Sequence, residues 1–317
     1  MATQYFVERD KCPCCTSPNL SGVYESRFDT SPIKEYLEDF YAPQGGIDFD
    51  YLKGAVYSLV ECGECDLIFQ KHILNDDLME KLYEHWIDPS KAMQRHLEAD
   101  FPDLYCFNAQ EIMQIIAYFK KVPSSLQFLD FGMGWSEWAL MAKGFGCDAY
   151  GSELSRKRIE YAQSKGVKVT TGKEMPPLRF DFINTEQVLE HIPNPLETLI
   201  ELRESLKPNG ILKVSVPHGW DMARRLRIMD WKSPKTSRNS LNPVAPLEHI
   251  NCFQRRSITK MASLAGLREI NMPLKIQYGY IVNWGRPAKL IRNLALPLYR
   301  AVLRRSNYMF FTVETSR

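Results

Sequence analysis

The chain reads as an α/β protein: a parallel sheet with helices on both faces, preceded by a small cysteine-rich module and a helical linker. Three observations carry that prediction. Strand-like and helix-like segments alternate from 126 to 216, the order that builds a parallel sheet. A turn with two glycines, Gly132-Met-Gly134, closes the first strand of the alternation, and Glu153 closes the second. Two Cys-x-x-Cys pairs, Cys12-Pro-Cys-Cys15 and Cys62-Gly-Glu-Cys65, stand near the start. With 317 residues, 44% hydrophobic and 25% charged, the chain can bury a sizeable core, so disordered and collagen-like readings are excluded. No apolar run reaches the length of about 18 residues that a membrane-spanning helix needs. The start, MATQYFVERDKCPCC, has no apolar signal-peptide core, so a cytoplasmic location is expected.

The eight cysteines are Cys12, Cys14, Cys15, Cys62, Cys65, Cys106, Cys147 and Cys252. Without a secretory signal, clustered cysteines read as metal ligands rather than disulfides. In a Cys-x-x-Cys knuckle the first thiolate leads into a tight turn whose amides stabilise both sulfurs around a tetrahedral Zn²⁺. Cys12, Cys15, Cys62 and Cys65 are the expected ligands. Four sulfurs leave no open position, so such a zinc is structural. Gly63 is expected to supply turn freedom, and Cys14 is a spare thiol that competes for a ligand position. Residues 16–61 exceed the spacing of a compact zinc ribbon and read as an insertion, which makes 1–72 a zinc-ribbon-like domain. A short strand, Leu67–Phe69, leaves the second knuckle. The three later cysteines sit in apolar contexts as buried thiols.

Residues 73–125 form the helical linker or lid. Asn75 caps a helix through Tyr83. Residues 88–103 are polar, with Pro89 and Pro102, and Ala109–Lys121 is a helix with apolar positions at 112, 113, 115, 116 and 119. From 126 to 317 the alternation predicts strands at 126–131, 147–152, 167–170, 180–185 and 211–216. The intervening helices lie at 136–143, 155–165 (Ser155 as N-cap) and 196–206, and Pro208-Asn-Gly210 makes a turn. The tail adds a helix at 257–265, a strand at 267–272, a helix at 287–304 and a strand at 308–314.

In open α/β sheets ligands lie outside the carboxyl ends of the strands. The first strand ends Phe128-Leu-Asp-Phe-Gly-Met-Gly134. Its two glycines let the backbone pass close to a ligand, and the next helix points its amide end there. Glu137 occupies the position of a dinucleotide fingerprint's third glycine, and Asp130 would repel a pyrophosphate. A carboxylate there suits a cationic, amino-acid-bearing ligand. Glu153, at the tip of the second strand, is placed to clamp two ribose hydroxyls. Asp130, Gly132, Gly134 and Glu153 together describe a nucleoside with a positive, non-phosphorylated tail, which is S-adenosylmethionine.

On these residues the chain resembles class I S-adenosylmethionine-dependent methyltransferases, strongly over 105–272. The carriers are Leu129–Gly134, Gly151–Ser155, Phe180–Ile183 with Glu186–Pro195, Leu206–Gly210, Val216–His218 and Glu248–Phe253. The two knuckles and Asp66-Leu-Ile-Phe69 resemble a zinc-ribbon-bearing branch common among enzymes of bacterial surface polysaccharides and specialised metabolites. The resemblance implies a Rossmann-like seven-stranded sheet across 126–317. It also implies a cofactor site of Asp130, Gly132, Met133, Gly134, Trp135, Glu153, Leu154, Glu174, Thr185, Glu186 and Gln187. Trp135 stands where the family commonly has glycine and would roof the methionine end, while Glu174 is the nearest candidate for the adenine contact. Asn184-Thr-Glu-Gln187 replaces an Asn-Pro-Pro-Tyr-like turn, which argues against methylation of amides or bases.

Glu190, His191 and His249 are the catalytic candidates, because histidine is the natural base near neutral pH. The expected reaction is O-methylation of a sugar, glycan or small metabolite. The alternatives are C- or N-methylation of a nucleotide-linked sugar, or a catalytically silent cofactor-binding module that recruits a partner. O-methyltransferases of ubiquinone synthesis and of small-RNA ends use a similar Glu-x-x-Glu-His segment to hold Mg²⁺. Gln187, a weaker ligand, takes its first position here and counts against Mg²⁺.

The formal charge of +2 hides a split. Residues 1–217 carry 22 Lys+Arg against 33 Asp+Glu, and 218–317 carry 18 against 5. Residues 218–248, with Arg224, Arg225, Arg227, Lys232, Lys235 and Arg238, read as an insertion for an anionic acceptor. Aromatic residues do not interleave with these cations, so nucleic acid is not an expected partner. The basic helix 287–304 is expected on the sheet or on a partner subunit, with homo-oligomers one outcome and a membrane surface the lesser reading.

Overall fold

The computed structural model describes residues 2–88, 90, 91, 93, 94, 102–170, 175, 177, 179–279, 287–303 and 306–314. It divides into two compact units that interleave along the chain. The first comprises Met1–Glu98, Leu189–Leu196 and Val216–Met261; the second comprises Ala99–Val188, Glu197–Ser215 and Ala262–Arg317.

In the first unit β1 (Phe6–Glu8) pairs antiparallel with β5 (His72–Leu74). A four-stranded antiparallel sheet runs β11 (Asn251–Cys252), β4 (Ile68–Gln70), β3 (Val56–Cys62), β2 (Leu20–Arg27). The stretch between the knuckles thus supplies β2 and a helix, Ile33–Tyr41. That helix buries Ile33, Leu37 and Tyr41, which recur every fourth residue and share one face. They pack with Phe28, Tyr57, Leu59 and Trp86 in one core. Met222, Leu226, Trp231 and Leu241 enter the same core, so the segment after 216 is folded into this unit. Asn75 caps its helix as expected, its Oδ1 accepting from the Leu78 amide at 3.0 Å.

The second unit holds a seven-stranded sheet in the order β12 (Leu267–Ile270), β13 (Tyr308–Val313), β10 (Leu206–Ser215), β9 (Phe180–Glu186), β6 (Gln127–Phe131), β7 (Asp148–Ser152), β8 (Lys168–Val169). Strands β10, β9, β6, β7 and β8 pair in parallel. β9 is buried along all but its last residue, as a strand covered on both faces must be. Phe128, Phe182, Trp138 and Ile115 fill the core beside it.

The expected seven-stranded sheet is present, and the strands of the 126–216 alternation are parallel. β13, whose direction the sequence left open, runs against both β10 and β12. An apolar run encodes burial and carries no direction. Several expectations are corrected here. β10 begins at Leu206, and its register with β9 shifts between Leu206 and Ile211, so the Pro208–Gly210 turn interrupts a strand rather than preceding one. The helix expected from Ala109 begins at Pro102, a residue whose fixed φ and missing amide suit a first helical turn. The tail helix runs Pro287–Leu298 and ends in a π turn over Tyr299–Leu303, with Pro297 inside it. Among the described residues no helix is long and apolar enough to cross a membrane.

Candidate functional site

The loop after β6 is built from unusual backbone. Gly132 has φ +72°, and a Cβ there would lie 2.5 Å from Val188 Cγ2. Gly134 has φ +53°, and a Cβ there would meet no atom within 4 Å, so this side of the turn is open for a ligand to approach. The Gly132 and Met133 amides donate to the Ser152 carbonyl at 2.8 and 3.0 Å, tying the loop to the end of β7. Met133 turns its side chain into a small core with Ala139, Ala162 and Val167.

Glu153 is held by amides. Its Oε2 accepts from Gly134 at 3.0 Å, and its Oε1 accepts from Leu154 and Ser155 at 2.8 and 3.2 Å. The expected capping by Ser155 is not seen, since its side chain makes no cap bond, and Glu153 instead takes the amides of the turn that leads into the helix. Arg158 lies 3.6 Å from Glu153 and also over the Trp135 ring, which meets Tyr161 edge-on. Leu154 is 96% exposed at the strand tip.

Asp130 is buried at the end of β6 and accepts from Asn184 Nδ2 at 2.8 Å. Burial pushes its carboxyl up to about 7, against the pull of Asn184 and of the Lys213 charge. Thr185 is buried and donates to the Lys213 carbonyl at 2.8 Å. Glu186 accepts from Ser215 Oγ at 2.9 Å, and the Gln187 amide donates to the Ser215 carbonyl. Glu174 lies outside the described residues.

In the first unit Glu190, His191 and His249 come together: their ligand atoms all lie within 4.8 Å of one another. His191 Nδ1 faces the Glu248 carbonyl at 2.9 Å and the Tyr83 hydroxyl at 3.3 Å. A carbonyl only accepts, so this contact assigns the ring proton to Nδ1 and basicity to Nε2. His249 Nδ1 faces the Asn242 carbonyl, and the two rings stand edge to face at 4.9 Å. Burial, then the neighbouring His191, drives the His249 pKa down to about 3, so this ring is neutral at physiological pH. The Glu248–Phe253 motif assembles the cluster. Asn251 Nδ2 donates to the carbonyls of Leu189 and Ile192 at 3.1 and 2.7 Å, and its Oδ1 accepts from buried Arg9 at 2.8 Å.

The four expected zinc ligands also converge, with Cys12–Cys65 and Cys15–Cys62 sulfurs 3.5 Å apart and all four within 4.8 Å. A tetrahedral ion with Zn–S bonds of about 2.3 Å holds its sulfurs about 3.8 Å apart, so this donor set fits zinc. Each knuckle ends on a left-handed residue, Thr16 at φ +61° and Asp66 at φ +60°, whose amide donates to the carbonyl of the knuckle's first cysteine. Gly63, by contrast, has no positive φ; it is small because the Asn19 side chain would lie 2.6 Å from a Cβ. Cys14 is buried outside this four-sulfur group.

A family described as a methyltransferase domain matches residues 93–271, more than half of the chain. The chain belongs to the class I S-adenosylmethionine-dependent methyltransferases. A curated relative, the ubiquinone biosynthesis O-methyltransferase of Rickettsia canadensis (strain McKiel), is 30% identical over 133 residues, 37% of this chain and 55% of the relative. The chain thus spans about half the length of that curated relative. Among solved structures it is similar to the plantazolicin methyltransferase BamL in complex with a triazolic desmethylPZN analog and SAH, at 13% identity and TM-score 0.46, over 74% of this chain and 92% of that one. A SAM-dependent methyltransferase from Aquifex aeolicus is 18% identical at TM-score 0.41, over 58% of this chain and 90% of that one.

Sequence reasoning missed the most heavily charged part of this methyltransferase's core. Lys213 on β10 is 1% exposed and lies 2.7 Å from both Glu111 and Glu186. Glu111 also accepts from Trp138 Nε1 at 2.7 Å and from the Tyr308 hydroxyl. Burial favours a neutral Lys213, but the two carboxylates outweigh it and hold the ammonium above its ordinary pKa. The signal was available: a lysine inside the apolar run Ile211-Leu-Lys-Val-Ser-Val216 must bring a buried partner. A small cleft opens beside Glu111, Tyr308, Gln277 and Arg300. Two of the cations expected to face an acceptor also bind within their own loop. Arg224 binds Asp221 and Asn239, while Arg225 donates to the carbonyls of Trp220 and Ser240.

Proposed function

We propose that this methyltransferase acts on a hydroxyl group of an anionic small metabolite, sugar or glycan, with His191 as the base. The observation that carries the reading is the meeting of Glu190, His191 and His249. The Glu248 carbonyl orients His191 so that Nε2 can take a proton, neutral His249 adds no positive charge to oppose that step, and Glu190 favours the imidazolium that results. The O-methyltransferase named as a curated relative supports oxygen as the accepting atom.

S-adenosylmethionine, when bound, supplies an electrophilic methyl group on a sulfonium. The chain's own part is to hold it. The open face of Gly134 accommodates the ligand's backbone-like tail, Asp130 offers negative charge to its cationic end, and Glu153 accepts from ribose hydroxyls. Met133, Trp135, Leu154, Thr185, Glu186, Gln187 and Glu174 complete the proposed set, Leu154 as an exposed apolar surface for adenine. We assign a structural zinc to Cys12, Cys15, Cys62 and Cys65 within a ribbon-like 1–72 region, followed by a helical linker to 125. In 218–248 the exposed Arg227, Lys232, Lys235 and Arg238 are the cations proposed to face an anionic acceptor.

A second reading places a metal ion on Glu190, His191 and His249. Two imidazoles and one carboxylate suit a transition metal better than Mg²⁺, which prefers oxygen ligands. A chelator that leaves turnover unchanged removes this reading.

The acceptor is found by comparing metabolites and glycans of cells with and without the protein for a mass difference of one CH₂. With that acceptor, His191→Ala is expected to keep S-adenosylmethionine affinity within about twofold and to slow turnover by about 10²–10⁴-fold, the usual range for a lost general base. Imidazole added to the variant should restore part of the rate. Unchanged turnover would assign His191 to the scaffold.

A further inference from the structure

The tail helix leaves one face uncovered. Ile291, Leu294, Leu298 and Val302 are 67%, 45%, 50% and 71% exposed, and their three- and four-residue spacing puts them on a single ridge. Its other side packs inward, where Asn293, Leu296, Pro297 and Arg300 line the cleft beside Glu111. An ion pair between Lys289 and Asp103 joins the start of this helix to the helix Pro102–Phe119. That second helix adds Leu104, Tyr105 and Phe107, each more than 40% exposed. Lys275 and Arg292 are exposed in the same region, and no acidic residue occurs between Glu269 and Glu314. Clustered exposed apolar side chains of this kind mark interaction surfaces.

We infer that this face is a docking surface for an anionic lipid bilayer, with the helix lying in the interface plane. Charge complementarity selects the occupant. A second copy would bring together two basic stretches, 270–313, that contain no acidic side chain, while Asp103 on the neighbouring helix is already taken by Lys289. A bilayer takes a convex apolar ridge between its acyl chains, and its anionic headgroups attract the exposed Lys275 and Arg292. The apolar strip explains depth of insertion, and the cations explain preference for anionic lipid. The inference does not depend on which acceptor is methylated.

Flotation of the full-length protein with vesicles of equal parts phosphatidylglycerol and phosphatidylcholine tests it. Binding is expected there, at least about tenfold weaker on phosphatidylcholine alone, and weakened by added salt. The double substitution Ile291→Asp/Leu298→Asp should lower binding more than about tenfold without changing the melting temperature, because both side chains are solvent-exposed. Arg292→Gln, which leaves the ridge intact, should lower it about fivefold. Failure of the wild-type chain to bind the anionic vesicles, or undiminished binding by the double variant, overturns the inference. So does a dimer in the absence of lipid that the double variant dissociates, which would make the ridge a subunit interface.

Discussion

Asp130 gives a test in which stability and ligand binding move in opposite directions. Its carboxyl is buried and raised from 3.8 to about 7. A raised acid holds its proton more tightly in the folded chain than in the unfolded one. Its contribution to stability is therefore full below about pH 4 and is lost as pH rises to about 7. At about 1.4 kcal/mol for each unit of pH, ionised Asp130 costs the ligand-free protein up to about 4 kcal/mol by pH 8. Asp130→Asn keeps an oxygen for Asn184 and removes the charge. At about pH 8 it should therefore raise the stability of the ligand-free protein, by about 1–4 kcal/mol after relaxation. The same substitution removes the negative charge offered to the cofactor's cationic end, so S-adenosylmethionine affinity should fall. For the wild type, binding of a cation lowers the Asp130 pKa, so affinity should rise with pH up to about 7 and then level off, with proton release on binding. Urea melts and isothermal titration between about pH 5.5 and 8 measure both effects. Flat cofactor affinity across that range, together with an unstabilised variant, would refute a charged Asp130 at the site.

Two more predictions concern buried charge and metal. Purified protein should contain about one zinc per chain, lost in Cys62→Ser and Cys65→Ser; a variant that keeps its full zinc would exclude those ligands. Lys213→Met leaves Glu111 and Glu186 without their cation and should cost about 3–5 kcal/mol in a urea melt, whereas Lys213→Met/Glu111→Gln should recover most of the loss. A single variant as stable as the wild type would show that the ion pair is dispensable.

The sheet was legible because its strands and helices differ in period and because Gly132, Gly134 and Glu153 mark the strand ends. The cysteine cluster was legible from spacing alone. What could not be read was anything that depends on distant partners. The Glu248–Phe253 motif marks the family, yet its work is done by Asn251 holding the turn at 189–192 and by the Glu248 carbonyl orienting His191. No local pattern encodes those contacts. The direction of β13 was hidden for the same reason, since antiparallel and parallel pairing bury the same side chains. Gly63 shows a subtler error: a glycine in a knuckle suggests unusual backbone, but the left-handed residue is Asp66 and Gly63 only makes room for Asn19.

The division of charge along the sequence also changes meaning once partners are known. Many acids of the first two-thirds are paired within the fold: Asp181 with Lys121 and Lys207, Glu111 with Lys213, Asp148 with Lys168. In the basic third Arg224 and Arg225 hold their own loop, and Arg256 pairs with Asp66 beside the second knuckle. Net charge by halves therefore overstates what is available to ligands. The groups assigned to the two ligands are chemically distinct. Asp130 is a buried acid whose charge a cation would stabilise, whereas Arg227, Lys232, Lys235 and Arg238 are solvated cations that attract weakly and at long range. Salt should consequently weaken acceptor capture, which depends on the exposed cations, far more than cofactor binding, which depends on a buried carboxylate that ions do not screen.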